Sequence, residues 1–271
     1  MQSLAERLRQ QGRLGFVPTM GALHKGHLQL VQVARRRCDY VVVSIFVNPI
    51  QFGPNEDYRT YPRDFTRDQR LLKEVGTDVI FSPDVAEMYP VGYATCIEVK
   101  DLTRYLCGKS RPAHFRGVTT VVAKLFNIVK PHLAVFGQKD AQQAFVVKRM
   151  VTDLNFDVKI LVVPTVREPD GLAMSSRNTY LTSDQRREAT VLFRSLQLAE
   201  NLIKNGERDA GRIKMAMRRL IKSSSQGKID YIDVVDTEKL APVKQIAGEV
   251  LVALAVYFGK ARLIDNIIIR V

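Results

Sequence analysis

Eight consecutive residues, Tyr40-Val41-Val42-Val43-Ser44-Ile45-Phe46-Val47, constrain this chain most. A strand with one face in water alternates apolar and polar side chains. An apolar run without alternation suits a parallel strand covered on both faces. Shorter β-branched runs recur at residues 14–17, 78–81, 132–136 and 158–163. Between them, apolar residues at helical spacing mark residues 26–38, 64–75, 117–129 and 141–155. Strand–helix alternation predicts the α/β class: a Rossmann-like, doubly wound parallel sheet with right-handed crossovers. At 271 residues the chain suits one large or two ordinary domains. The pattern changes after Pro164. Helical stretches near 183–204 and 209–222 are followed by strand patterns at 229–235, 250–257 and 264–269. The division predicted is a Rossmann-like domain over 1–165 and a smaller α+β domain over 166–271.

In open parallel sheets, ligands sit beyond the carboxyl ends of the strands. Three polar segments directly follow predicted strands: the stretch through His24-Lys25-Gly26-His27, then Asn48-Pro49-Ile50-Gln51-Phe52, then Gly137-Gln138-Lys139-Asp140. They are expected to line one crevice. His24 and His27 are three residues apart at a helix start, so they share a face. Free N–H groups and the positive end of the helix dipole favour an anion there. The pair therefore suits a polyphosphate. Zinc would need three or four ligands, but Cys38, Cys96 and Cys107 are scattered, and His114 and His132 have no ligand-like spacing. Gly21 and Gly26 fit the start of a P-loop, yet His27 and Leu28 replace its Lys and Ser/Thr.

Two further segments admit two readings each. Lys139-Asp140 can meet phosphate and ribose, or simply open a helix in solvent. Ser175-Ser176-Arg177 can grip a triphosphate, or form a turn that caps the next helix. The amides of Gln51 and Gln143 suit hydroxyl and carboxylate groups of a small ligand.

Net charge is +13. A basic chain invites a nucleic-acid reading. The excess, however, is spread over both halves. Its densest piece, Arg212, Lys214, Arg218, Arg219, Lys222 and Lys228, keeps an apolar stripe of Ile213, Met217, Leu220 and Ile221. That pattern describes a solvated helix face, and no specific nucleic acid is expected as partner. No apolar run reaches the roughly 18 residues of a membrane span, so no membrane is expected either. The first nine residues lack the apolar core of a secretory signal. Three cysteines suit a reducing compartment, the cytoplasm by default.

Together the motifs closely resemble the pantothenate synthetase (pantoate–β-alanine ligase) family of the His-x-Gly-His nucleotidyltransferases. The stretches that carry the resemblance span residues 17–27, 43–49, 111–117, 137–143, 170–178 and 261–266. The resemblance implies a homodimeric ligase that uses ATP and Mg²⁺ to join pantoate to β-alanine through a pantoyl-adenylate, releasing AMP and pyrophosphate. It implies catalytic roles for His24, His27 and Lys139, with His27 as proton donor. It assigns ATP to Met20, Gly21, His24, Gly26, His27, Gly137, Lys139, Asp140, Val166, Met174, Ser175, Ser176 and Arg177. It assigns pantoate to Gln51 and Gln143, and the β-alanine approach to Gln51. Asp68 is expected near the metal, and the second domain is expected to act as a lid. Another His-x-Gly-His nucleotidyltransferase, acting on a different small acid or phosphate, is the alternative. The chain departs from the family pattern at Lys25, at Gln138 and in the short stretch before Gly15. The last predicts either a sheet lacking an edge strand or a trimmed start.

Overall fold

The computed structural model describes residues 1–54 and 56–271. By internal contacts they form two compact units. The first comprises Met1–Lys100, Arg111–Gln138 and Gln143–Pro164. The second comprises Asp101–Ser110, Lys139–Gln142 and Thr165–Val271.

The first unit holds β1 (Leu14–Thr19), β2 (Tyr40–Ile45), β3 (Val79–Phe81), β4 (Leu133–Gly137) and β5 (Lys159–Val163). All pairings are parallel, in the order β3-β2-β1-β4-β5. The connecting helices are α1 (Gln2–Gln11), α2 (Lys25–Arg35), α3 (Phe65–Glu74), α4 (Val85–Met88), α5 (Leu106–Ser110), α6 (His114–Val129) and α7 (Ala141–Asp153). Of these, α5 and the first two residues of α7 cluster with the second unit. Both sheet faces are covered, which explains the unbroken apolar strands. Val17, Val41, Val43, Leu133 and Val135 pack under α2 and α3 against Leu30, Val31, Ala34 and Leu72. On the opposite face Phe16 meets Phe126 of α6 edge to face, with ring centroids 6.3 Å apart. Burying each such large side chain contributes about 1.5–3 kcal/mol. Chain order reverses between β1 and β4, the switch point where such sheets open a crevice.

The second unit is the expected α+β arrangement. Strands β6 (Lys228–Asp236), β7 (Glu249–Phe258) and β8 (Ala261–Arg270) form an antiparallel sheet. Against it pack α9 (Val191–Lys204) and α10 (Ala210–Ser224), preceded by the short α8 (Ser183–Glu188). Sequence periodicity reads 183–204 as one stretch. The structure breaks it at Ala189 and Thr190, where the Thr190 hydroxyl donates to the Arg187 carbonyl at 2.8 Å. A local side-chain bond of this kind competes with the helical ladder.

Two segments leave the linear division read from sequence. Gln142 donates through Nε2 to the carbonyls of Leu102 and Tyr105, both at 2.8 Å. Asn266 donates to the Lys139 carbonyl at 2.9 Å. These bonds tie 101–110 and 139–142 into the second unit.

Candidate active site

The histidine loop leaves β1 and enters α2. Gly21 has φ +78°, and a Cβ there would lie 3.0 Å from both Asp68 and Ile45, so only glycine fits without strain. The loop's free N–H groups are then taken up in sequence. Gly21 donates to the Thr19 hydroxyl at 3.2 Å. Ala22 and Leu23 donate to the two carboxylate oxygens of Asp68, each at 2.8 Å. Arg67 closes the turn by donating to the Leu23 carbonyl at 2.9 Å.

The two histidines cap their own helix. Gly26 N–H donates to His24 Nδ1 at 3.1 Å, and His24 N–H donates to His27 Nδ1 at 3.4 Å. This is a reciprocal capping box built from imidazoles. The rings lie 4.0 Å apart between centroids. Because each Nδ1 accepts, the neutral rings carry their proton on Nε2. The pair thus offers two N–H donors at the positive end of α2, an arrangement suited to phosphate oxygens.

Behind the loop sits Gln51, buried in the turn Pro49–Gln51. Its Oε1 accepts from Asn48 Nδ2 at 3.0 Å, while its Nε2 lies 3.1 Å from Met20 Sδ. Asn48 Nδ2 also reaches the Gly117 carbonyl at 3.1 Å, and Asn48 Oδ1 accepts from the Tyr89 hydroxyl at 2.7 Å. Gly117 permits this approach. A Cβ on it would stand 2.5 Å from the Ile50 carbonyl oxygen and 2.6 Å from the Gln51 backbone nitrogen. Arg111 clamps Glu56 with two donors, and His114 bonds the Gln51 carbonyl at 3.0 Å. Burial pushes the Glu56 carboxyl up, but the Arg111 guanidinium outweighs it, and the group titrates below the usual range. In this unit the structure therefore gathers Met20, Gly21, His24, Gly26, His27 and Gln51. Gly137 ends β4, and Gln143 is half-buried on α7.

In the second unit the chain over residues 166–174 doubles back as a hairpin. Met174 N–H donates to the Val166 carbonyl at 3.0 Å, and Arg167 pairs with Ala173. Its turn needs Gly171, with φ +91°, where a Cβ would strike Phe193 at 2.2 Å. The base is fixed by a bidentate ion pair from Arg167 to the buried Asp265, at 2.6 and 3.0 Å. Burial pushes the Asp265 carboxyl up, and the Arg167 guanidinium opposes it. Ser175 caps the turn Ser176–Tyr180, its hydroxyl accepting from Arg177 N–H at 3.2 Å. Lys139, Ala173, Ser175, Asn178 and Asp265 line one shallow recess, too tight to enclose a water molecule. Asp140 stands exposed at the end of the turn Gln138–Asp140.

Asp68, expected near the metal, makes its observed bonds to backbone. Both Asp68 oxygens are engaged by backbone N–H groups, and its side chain is 1% exposed. Among the described residues no three His, Cys, Asp or Glu side chains stand together as metal ligands. These residues do not fit a protein-built magnesium cage, and Asp68 instead holds the histidine loop. Sequence reading gave no role to Asn48, Tyr89, Arg167 or Asp265. Asn48 lies in a segment that follows a strand, which is a usable signal. Arg167 and Asp265 are 98 positions apart, and nothing local announces their pairing.

Comparison with known proteins places the chain in a family. The family model for pantoate-β-alanine ligase matches residues 1–268. A pantothenate synthetase from Thermotoga neapolitana is 58% identical over 270 residues, covering 99% of this chain and 96% of the relative. One from Caldicellulosiruptor saccharolyticus is 56% identical over 272 residues, covering 100% and 97%. The crystal structure of a pantothenate synthetase from Thermus thermophilus superposes with a TM-score of 0.92 at 47% identity, covering 97% of this chain and 96% of that one. The Francisella tularensis ligase, solved with β-γ ATP and β-alanine, superposes with a TM-score of 0.79 at 38% identity, covering 98% and 93%. With a family model spanning nearly the whole chain and relatives well over half identical, the chain belongs to the pantoate–β-alanine ligase family.

Proposed function

We propose that this ligase joins pantoate to β-alanine in two steps on ATP. A pantoate carboxylate oxygen attacks the α-phosphorus, the bond to the β-phosphate breaks, and pyrophosphate leaves with the electron pair. The β-alanine amine then attacks the acyl carbon of the pantoyl-adenylate. The carbon–oxygen bond breaks toward AMP, and the amine gives up a proton. The observation that carries the reading is the imidazole pair whose backbone bonds leave both protons on Nε2, at the end of α2 that attracts anions. The substrate carboxylate is the nucleophile, so the protein's task is positioning and charge stabilisation. The Francisella relative's complex with β-γ ATP and β-alanine supports it.

In the first unit, Met20, Gly21, His24, Gly26 and His27 would meet the phosphates, His27 would donate a hydrogen bond from Nε2 to the departing pyrophosphate, and Gly137 would border the adenosine. Gln51 and Gln143 would hold pantoate, and Gln51 would border β-alanine. In the second unit, Lys139 would meet the reacting phosphate, Asp140 the ribose, Val166 the adenine, and Met174, Ser175, Ser176 and Arg177 the triphosphate. Magnesium would arrive on the nucleotide, whose phosphates are its usual carriers. The proposal includes a cytoplasmic homodimer, as the family resemblance implies.

Two assays test it. Pyrophosphate release should require pantoate, and AMP should appear only when β-alanine is added. Pyrophosphate formed with another acid and not with pantoate would reject this substrate and favour a different His-x-Gly-His transferase. His24→Ala, His27→Ala and Lys139→Ala should each lower turnover on the order of 10²–10³-fold, as loss of a preorganised donor does.

A further inference from the structure

The Gln51 side chain is held in one amide orientation by a relay that begins outside the histidine loop. Tyr89, just past α4, donates its hydroxyl proton to Asn48 Oδ1 at 2.7 Å. That bond fixes which end of the Asn48 amide is oxygen. Asn48 Nδ2 then faces two acceptors, the Gly117 carbonyl at 3.1 Å and Gln51 Oε1 at 3.0 Å. Gln51 is left with Nε2 turned toward Met20, 3.1 Å from its sulfur. Each step passes on a donor–acceptor direction, because an amide has one oxygen and one NH₂. Asn48 is 1% exposed and Gln51 8%, so neither can swap a lost partner for bulk water without cost.

The Tyr89 ring is itself anchored. Lys124 lies over it at 5.7 Å and over the neighbouring Tyr93 at 4.7 Å, and Phe46 packs 6.2 Å away between centroids. The preceding turn is fixed by the reciprocal capping of Asp84 and Glu87 and by the buried Met88. Burial also raises the Tyr89 hydroxyl's pKa, so it stays a donor across the working range.

We propose that Tyr89 is a positioning residue for the hydroxy-acid substrate: through Asn48 it keeps the Gln51 amide presenting NH₂, a donor suited to a carboxylate or hydroxyl oxygen. The proposal rests on the reading of Gln51 as a pantoate contact. It assigns Tyr89 no contact with substrate.

Tyr89→Phe tests it, because the ring, its packing and its cation contact survive and only the hydroxyl goes. Losing one net hydrogen bond of about 1 kcal/mol predicts a rise of about fivefold in the KM for pantoate. The KM for ATP and kcat should change less than twofold. Gln51→Ala, assayed in parallel, should raise the pantoate KM by more, and adding Tyr89→Phe to it should change nothing further. An unchanged pantoate KM in Tyr89→Phe, beside a raised one in Gln51→Ala, overturns the relay and leaves the Gln51 reading intact. Equal shifts for pantoate and ATP also overturn it, since a general loosening would do that. An unchanged pantoate KM in Gln51→Ala defeats the underlying reading, and the relay with it.

Discussion

The histidine loop of the first unit and the 166–174 hairpin of the second face the same task and solve it with different forces. Each must hold a short irregular segment so that polar groups stay in place. The loop is held by one carboxylate that accepts two backbone N–H groups, and by imidazoles that cap their own helix. The hairpin is held by a guanidinium on a buried carboxylate. The loop combines caps made within one turn with bonds from Asp68, 45 and 46 positions away, and each is a modest neutral or charge-assisted contact. The hairpin depends on one strong pair that is expensive to break by half. The two regions should therefore fail differently: the loop by misplacing its side chains, the hairpin by loss of stability.

Asp265→Ala should give the largest effect. It leaves the Arg167 charge beneath the hairpin without its carboxylate, and about 3–5 kcal/mol of unfolding free energy should be lost. Urea denaturation reads this directly. Pairing Asp265→Leu with Arg167→Met should recover most of the loss, because two apolar side chains leave no stranded charge. If the single variant costs under about 1 kcal/mol, the hairpin is not anchored as described and the contrast collapses.

Asp68→Asn should cost less and show its effect in a different measurement. One carboxylate oxygen becomes an NH₂ facing a backbone N–H, so one of the two loop bonds is replaced by a donor–donor clash. The stability cost should be about 1–3 kcal/mol. The sharper consequence is a roughly tenfold fall in kcat/KM for ATP, the equivalent of about 1.4 kcal/mol at the transition state. A stability loss with full activity would make Asp68 a fold residue only, and would erase the distinction between the two regions.

The same contrast decides what the sequence could disclose. The unbroken run from Tyr40 and the strand–helix alternation gave the five parallel strands to within a few residues, because periodicity is a local property. The histidine pair was legible for the same reason: His24, Gly26 and His27 cap one another within a single turn. The hairpin turn carries its own local signal, Pro169-Asp170-Gly171. Its anchor was not, since Arg167 meets Asp265 only when β8 is in place. Asn48 and Tyr89 are 41 positions apart and meet where the chain leaves α4, which periodicity does not reveal. Gln142 joins 139–142 to 101–110 through carbonyls about 40 positions away, a link without a local signal in the sequence. Asp68 accepts from the N–H groups of Ala22 and Leu23, some 45 positions away, a contact that local periodicity does not reveal.

The smallest expected effect separates the sheet from the loop it carries. At the amino ends of β1 and β4, away from the histidine loop, Leu14 N–H donates to His132 Nδ1 at 3.0 Å. Burial, followed by the charges of Arg9 and Arg13, lowers the His132 pKa, with Asp157 pulling the other way. An unfolded histidine titrates near 6.5. Because the folded value lies lower, the unfolded chain binds more protons between the two values. The contribution of His132 to stability is thus fully present above about pH 6.5 and is lost as pH falls through the folded pKa. His132→Gln keeps an acceptor for Leu14 N–H but removes the titration. Denaturation midpoints measured from pH 7.5 down to 5.5 should therefore decline less in the variant than in the parent. The pH dependence of pyrophosphate release should be the same in both, since His132 touches the strand ends and not the loop. A variant whose activity profile moved while its stability slope did not would place His132 in the site, and the separation of scaffold from site in the first unit would be wrong.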